Sequence, residues 1–302
     1  MRSLLRLALF ALAPALLAQS ASQRPAITGI AFVTFAESQP GAAAQFYGKE
    51  LGLAAQPERG NGGQLIAYPV NASQWIETTP APLDLHDGRN SRLEAVGLRT
   101  SDIRAMQRFL RAKGLNSSIR SGRLVTQDPE GNTIIFVDSR TPTPRPPMHD
   151  SAVSHRIIHA GFVVQSEQKE NTFYRDILGF KPYWHGGFKE GVDDWVSQQV
   201  PDGTDWIEYM LNVKPDASAE QRGGSNHVSL GLRKMDTAID QLKANGCDTH
   251  QCTTSQMGRD GKVQLNIFDP DHSRIELMEY APSGTVCCSP FTGPMPSERD
   301  PL

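Results

Sequence analysis

Three stretches of this 302-residue chain alternate apolar with polar or small positions at a period of two, the signature of strands that turn one face to a core. In Ile157-Ile158-His159-Ala160-Gly161-Phe162-Val163-Val164 one face carries His159, Gly161 and Val163, and the other carries Ile158, Ala160, Phe162 and Val164. Asn226 to Leu232 places His227, Ser229 and Gly231 together, and Asp269 to Met278 places Arg274, Glu276 and Met278 together. Three such strands in one curved sheet would bring two imidazoles and a carboxylate to a single point. That trio suits a divalent first-row metal, because neutral imidazole and carboxylate oxygen bind the ion and leave positions open for water or a ligand.

The same periodicities organise the rest. From Ile27 to Val137 they predict strand, helix and strands, twice over, with Ile30 to Ala36 and Leu93 to Arg99 opening the two units. Gly41 to Leu51 reads as a helix ended near Gly52. A second helix starts at Ser101 or Asp102, carries Ile103, Met106 and Leu110 at helical spacing, and stops at Gly114. Asp128-Pro129-Glu130-Gly131 is a turn before the strand Thr133 to Val137. Met235, Ala238, Ile239 and Leu242 predict a further helix, begun by Asp236 and ended at Gly246.

Motifs recur in order. Phe46-Tyr47 and Leu51-Gly52 return as Phe173-Tyr174 and Leu178-Gly179, and Trp75-Ile76-Glu77 as Trp206-Ile207-Glu208. Gly97-Leu98-Arg99 returns as Gly231-Leu232-Arg233, and Asp128-Pro129 as Asp269-Pro270. The displacement only grows along the chain, which is what duplication followed by loop insertions leaves behind. The boundaries that follow are a first domain over 27–140, a proline-rich linker over 141–154, a second domain over 155–281 and a flexible tail over 282–302.

Composition narrows the partners. A net charge of -3 with both signs interspersed offers no basic stripe for nucleic acid and no polybasic membrane patch, which leaves a small molecule. Arg2 and Arg6, an apolar run from Leu7 to Leu17, and Ala18-Gln19-Ser20 predict a cleaved signal peptide over 1–21. The mature chain is therefore expected in a periplasm or outside the cell, free of the membrane, as a monomer or homodimer. Cys247, Cys252, Cys287 and Cys288 fit an oxidising compartment, with three two-bridge pairings open.

Taken together, His159-Ala160-Gly161-Phe162, the helix end Phe173 to Phe180, the His227 strand, and Asp269-Pro270 leading to Ile275-Glu276-Leu277 resemble the vicinal oxygen chelate superfamily. That group includes glyoxalase I, extradiol dioxygenases, methylmalonyl-CoA epimerase and the fosfomycin and bleomycin resistance proteins. The resemblance spans nearly all of Ile27 to Tyr280. It implies an α+β fold of tandem glyoxalase-like domains, each made of paired βαβββ modules curled into an open barrel around a metal. It also implies Glu208 as a further ligand or as the catalytic base, beside His159, His227 and Glu276, on an ion of Fe, Ni, Zn or Mn.

Registering the copies by their motifs puts Phe32, Leu93 and Ile135 at the places of His159, His227 and Glu276, so the first domain is expected to be plugged and metal-free. The same comparison argues against a purely structural trio, since the fold accepts an apolar filling and unpaired buried polar groups are costly. Glu77 keeps the acid of Glu208 with no metal beside it, which points to a hydrogen-bonding role as the competing reading. Arg274, on the face of Glu276, is placed to hold an anionic substrate group, and His185 to contact substrate at the mouth. His272 takes the turn position where the family has Gly.

Three activities remain. A metal-assisted glyoxalase, isomerase or lyase reaction uses a carboxylate to move a proton. Extradiol ring cleavage matches the two-domain plan, but Asn266 stands where the resembled dioxygenases carry Tyr, and Met257, Gly258 and Arg259 fill the region of their His. A resistance-type protein would only bind its ligand.

Overall fold

The computed structural model describes residues 23–60, 63–82, 92–141 and 150–300, so the expected signal peptide and residues 142–149 of the linker lie outside the described residues. The first repeat contains β1 (Ile27–Glu37), β2 (Gln56–Gly60), β3 (Gly63–Pro69) and β4 (Trp75–Pro80), then β5 (Leu93–Thr100), β6 (Ser118–Arg120), β7 (Arg123–Gln127) and β8 (Thr133–Asp138). The second contains β9 (Ile157–Val163), β10 (Lys181–Gly186), β11 (Trp195–Gln199), β12 (Trp206–Met210), β13 (His227–Leu232), β14 (Gln256–Met257), β15 (Val263–Phe268) and β16 (Arg274–Glu279). Each repeat forms an eight-stranded mixed sheet, ordered β2-β3-β4-β1-β5-β8-β7-β6 and β10-β11-β12-β9-β13-β16-β15-β14. The two βαβββ halves of each sheet therefore join along their opening strands, as the repeat predicts.

The helices form where the stripes place them. In the first repeat α1 (Pro40–Ala43) widens into a π-helical stretch, Ala44–Glu50, and in the second α3 (Glu167–Asn171) widens into Thr172–Ile177. The widened turn closes with Leu51 N–H on the Phe46 carbonyl and Leu178 N–H on that of Phe173, at the same place in each copy. It buries both Phe-Tyr pairs. Asp102 caps α2 (Ile103–Ala112), accepting from the N–H groups of Arg104 and Ala105, and Gly114 takes the left-handed conformation that ends it. α4 (Met235–Ala244) begins one residue before the expected Asp236, which lies in its first turn. No helix of the described residues is long and apolar enough to cross a membrane.

The helix-covered faces of both sheets share one continuous apolar core. Polar side chains tie the opening strands across it. Gln74 donates to the carbonyls of Ile30 and Ile157 and accepts the N–H of Ile157, while buried Arg156 pairs with Asp205 at 2.5 Å. Tyr47 donates to Asp269 at 2.8 Å and Tyr174 to Asp128 at 3.3 Å, so each repeat's helix reaches the Asp-Pro turn of the other.

Two expectations change, and the open cysteine pairing is resolved. The pairing of β9 with β13 slips at Ser229/Leu230, and this bulge moves Ile158 from the helix-side core to the cup face, where it packs with Tyr183, Trp206, Met278 and Tyr280. The expected flexible tail, described as far as residue 300, lies against the second sheet. Phe291 packs on its apolar cup cluster, Thr292 bonds the carbonyl of Pro182, and Asp300 accepts from Thr204. The cysteines pair Cys247 with Cys252 and Cys287 with Cys288.

Candidate metal centre

Strands β12, β9, β13 and β16 are consecutive neighbours in the second sheet, so their cup-facing side chains converge. His159 stands opposite Trp206 and Ser229, His227 opposite Gly161 and Arg274, and Glu276 opposite Ser229. The Nε2 atoms of His159 and His227 lie 2.9 Å apart, and Glu276 Oε2 lies 3.2 Å from His159 Nε2. One ligand atom from each of the three falls within 4.8 Å of the others. Glu208 joins from β12, its Oε2 at 3.6 Å from His227 Nε2 and 3.9 Å from His159 Nε2.

Backbone size makes room for the rings. A Cβ on Gly161 would lie 2.1 Å from Cε1 of His227, so only glycine fits beneath that imidazole. The first sheet reverses the exchange. There Thr34 faces Ala95, and Phe32 faces Gly97, whose Cβ would lie 2.2 Å from the phenyl ring. Bulk on one strand is answered by its absence on the next, as close packing requires.

The donor set fits an ion. The Ser225 carbonyl can only accept, so His227 Nδ1, 2.9 Å away, carries the proton and Nε2 turns its lone pair into the cup. Glu276 Oε2 is buried and meets the ring edge of His159 at 3.2 Å. Nitrogens bound at about 2.1 Å to one ion at a right angle would lie about 3 Å apart, close to the observed spacing. Burial drives both imidazoles toward the neutral, ligating form, and the Arg274 charge adds to the effect on His227. Burial also disfavours charge on Glu276, but the His159 hydrogen bond and the Arg274 charge outweigh it and hold this carboxyl below the usual range. Burial and the Glu276 charge push Glu208 up to about 8.

The first cup shows what replaces these donors. Strand pairing matches Phe32 with His159 and Ile135 with Glu276 as expected, but places Ala95, not Leu93, at the position of His227. The Gly-Leu-Arg motif misleads by two residues, and Leu93 packs in the helix-side core. Phe32, Leu65, Ala67, Trp75 and Ile135 fill the cup. Glu77 occupies the place of Glu208 and is fully occupied: it accepts from Arg123 at 2.9 and 2.5 Å, from Trp75 Nε1 at 2.7 Å and from Thr34 at 3.1 Å. Strand pairing puts Gln264 where Arg123 stands, and among the described residues the one hydrogen-bond contact of Glu208 is with Ser197 at 3.5 Å. A guanidinium thus answers the acid in one cup, while two facing imidazoles meet it in the other.

A cavity of about 350 Å³ opens onto Glu208 and Glu276. Arg274 lines it, as do Arg259 and Asn266, under aromatic walls that include Trp184 and Trp206. His185 does not. It follows Trp184 on β10, so its side chain takes the opposite face, half-exposed and 2.8 Å from Asp193. His272 also lies away from the cavity lining and adopts φ 64, the conformation of its counterpart Gly131. Sequence reasoning missed Lys262, which is fully buried, its ammonium between the rings of Trp206 and Phe291, and pushed down to about 8 by that burial. Asp260-Gly261-Lys262 reads as an exposed turn, and the only hint was a second charge next to it.

Comparisons agree with this construction. Residues 156–277 match the Glyoxalase/Bleomycin resistance protein/Dioxygenase superfamily, and no curated protein matches the chain. Among solved structures, a variant of homoprotocatechuate 2,3-dioxygenase from Brevibacterium fuscum superposes with a TM-score of 0.64 at 18% identity, over 86% of this chain and 73% of that one. An extradiol ring-cleaving dioxygenase from B. fuscum gives 0.65 at 16% identity, over 90% and 76%. Homoprotocatechuate 2,3-dioxygenase from Arthrobacter globiformis gives 0.63 at 16% identity, over 85% and 80%. At such identities the likeness establishes the fold. Residues 156–277, most of the second repeat, thus match the glyoxalase/bleomycin resistance protein/dioxygenase superfamily in sequence, and the two sheets share the fold of these dioxygenases.

Proposed function

We propose that the second cup holds a divalent first-row metal on His159, His227 and Glu276 and acts on a small oxygen-bearing ligand by proton transfer, as an isomerase, lyase or glyoxalase-type enzyme. When bound, the ion supplies Lewis acidity toward charge that develops on ligand oxygen. Glu208 accepts and returns the proton at Oε2, the carboxylate oxygen facing both imidazoles. Arg274 orients an anionic part of the ligand, and the Trp184 and Trp206 walls keep water from the reacting end. The observation that carries this reading is the contrast between Glu77, held by an arginine, and Glu208, left without one. The two disulfides support an exported protein.

Extradiol ring cleavage is the second reading, favoured by the structural likeness to ring-cleaving dioxygenases. Asn266 and Arg259 line the cavity, and neither is suited to shuttle protons at neutral pH. Elemental analysis of the purified chain tests the centre. His227→Ala and Glu276→Ala should lose most bound metal, while Leu93→Ala should keep it and lose about 2–5 kcal/mol of stability. Equal metal in the wild type and the His227 variant refutes the assignment. Oxygen uptake on catechols after anaerobic iron loading would select ring cleavage, and metal-dependent exchange of solvent deuterium into a ligand would select proton transfer.

A further inference from the structure

Among the described residues the Lys262 ammonium makes no hydrogen bond or close ion pair; Asp260, Glu276 and Glu208 act on its charge only from a distance. Its Nζ is buried and finds no hydrogen-bond acceptor, and neighbouring Asp260 accepts the lysine's backbone N–H at 3.1 Å instead. The ammonium sits 4.7 Å from the centre of the Trp206 ring and 4.9 Å from that of Phe291. Both rings line the cavity, and Trp206 stacks on His159 with ring centres 4.6 Å apart. Two ring faces replace only part of an ammonium's lost hydration, so a lysine kept for bracing alone would be improved by methionine.

Charge counting around the cup gives the cation a use. Glu208 and Glu276 balance a divalent ion, which leaves Lys262, Arg259 and Arg274 against Asp260 and a positive excess facing whatever enters. In the first cup, strand pairing puts Ser121 at the lysine's place, and the cation that meets the buried acid is Arg123, two residues later. Its charge is neutralised by Glu77.

We propose that Lys262 is a specificity-determining residue: from behind Trp206 and Phe291 its charge raises the potential of the cavity and selects an anionic ligand. This rests on the reading of the cavity as a metal-holding ligand site, since the ion offsets Glu208 and Glu276. The probes are benzoate and its neutral counterpart benzamide, titrated against tryptophan fluorescence in the full chain at pH 7, with the metal content of each sample measured. The wild type should bind benzoate about tenfold more tightly than benzamide, as one charge at an effective protein dielectric allows. Lys262→Met should lose that preference and leave benzamide binding unchanged, and Lys262→Arg should restore it. Lys262→Met should also raise the ligand-free melting temperature, by about 2 °C or more, because the desolvation cost of a buried ammonium, the largest influence on it, is gone. Metal content should stay at the wild-type value, which separates this proposal from the metal assignment. Benzoate preference unchanged in Lys262→Met, a wild type that does not favour benzoate, or a lowered melting temperature with the preference intact would each overturn it.

Discussion

The same substitution at equivalent positions should have opposite consequences, because Glu77 and Glu208 are matched in the fold but not in their partners. Glu77→Gln puts an amide nitrogen among the donors of Arg123, Trp75 and Thr34, and takes the counter-charge from Arg123. Breaking a fully buried pair costs about 3–5 kcal/mol. Arg123 is 29% exposed, so water recovers part of this, and about 2–3 kcal/mol is expected. At about 2–4 °C per kcal/mol for a domain of this size, the melting temperature should fall by about 5–10 °C. Glu208→Gln gives up one long contact with Ser197 and relieves repulsion from Glu276, so the chelated protein should change by less than about 0.5 kcal/mol, or become more stable. Urea unfolding of both variants after exhaustive chelation measures the difference. Equal losses at the two positions would mean that Glu208 is a structural acid like Glu77, and would remove the argument for a cation in the second cup.

Gly161→Ala should empty the metal centre without touching a ligand, because the added methyl overlaps His227; metal content at the wild-type value would refute the packing argument. Stability should decline with rising pH. Burial and the nearby Asp269 and Asp271 raise Glu37 to about 10, and burial with Asp128 and Glu130 raises Glu170 to about 9. The folded chain then holds protons that the unfolded chain releases above about pH 4.5, so the stability these protons confer is present in acid and lost as pH climbs toward 9–10. Glu37→Gln and Glu170→Gln should each flatten the profile of unfolding free energy against pH, and a profile as steep as the wild type's would count against the assignment.

Much of this molecule is legible in one dimension. Period-two alternation, the capping Asp102 and the stop at Gly114 are local properties of the backbone, and they gave strands and helices close to those observed. The internal repeat gave two copies of one fold, and the face shared by Arg274 and Glu276 followed from strand geometry. Register did not follow, because a strand position is defined by its neighbour across the ladder. Matching Gly-Leu-Arg by letters chose Leu93, while hydrogen-bonded pairing with β1 and β8 chose Ala95. A bulge moved Ile158 to the cup for the same reason. His185 failed on the alternation of β10, whose phase is set by its partner β11.

What the sequence determined by itself was the inventory: two related sheets, and the imidazoles and carboxylates that one copy has and the other lacks. Only the tertiary structure decided which cation each acid meets. Arg123 and Glu77 lie 46 residues apart, and Lys262 was drawn under Trp206 and Phe291 by strand pairing and by a tail read as loose. Electrostatic partnership depends on distances of a few ångströms between side chains far apart along the chain, and no local pattern encodes them.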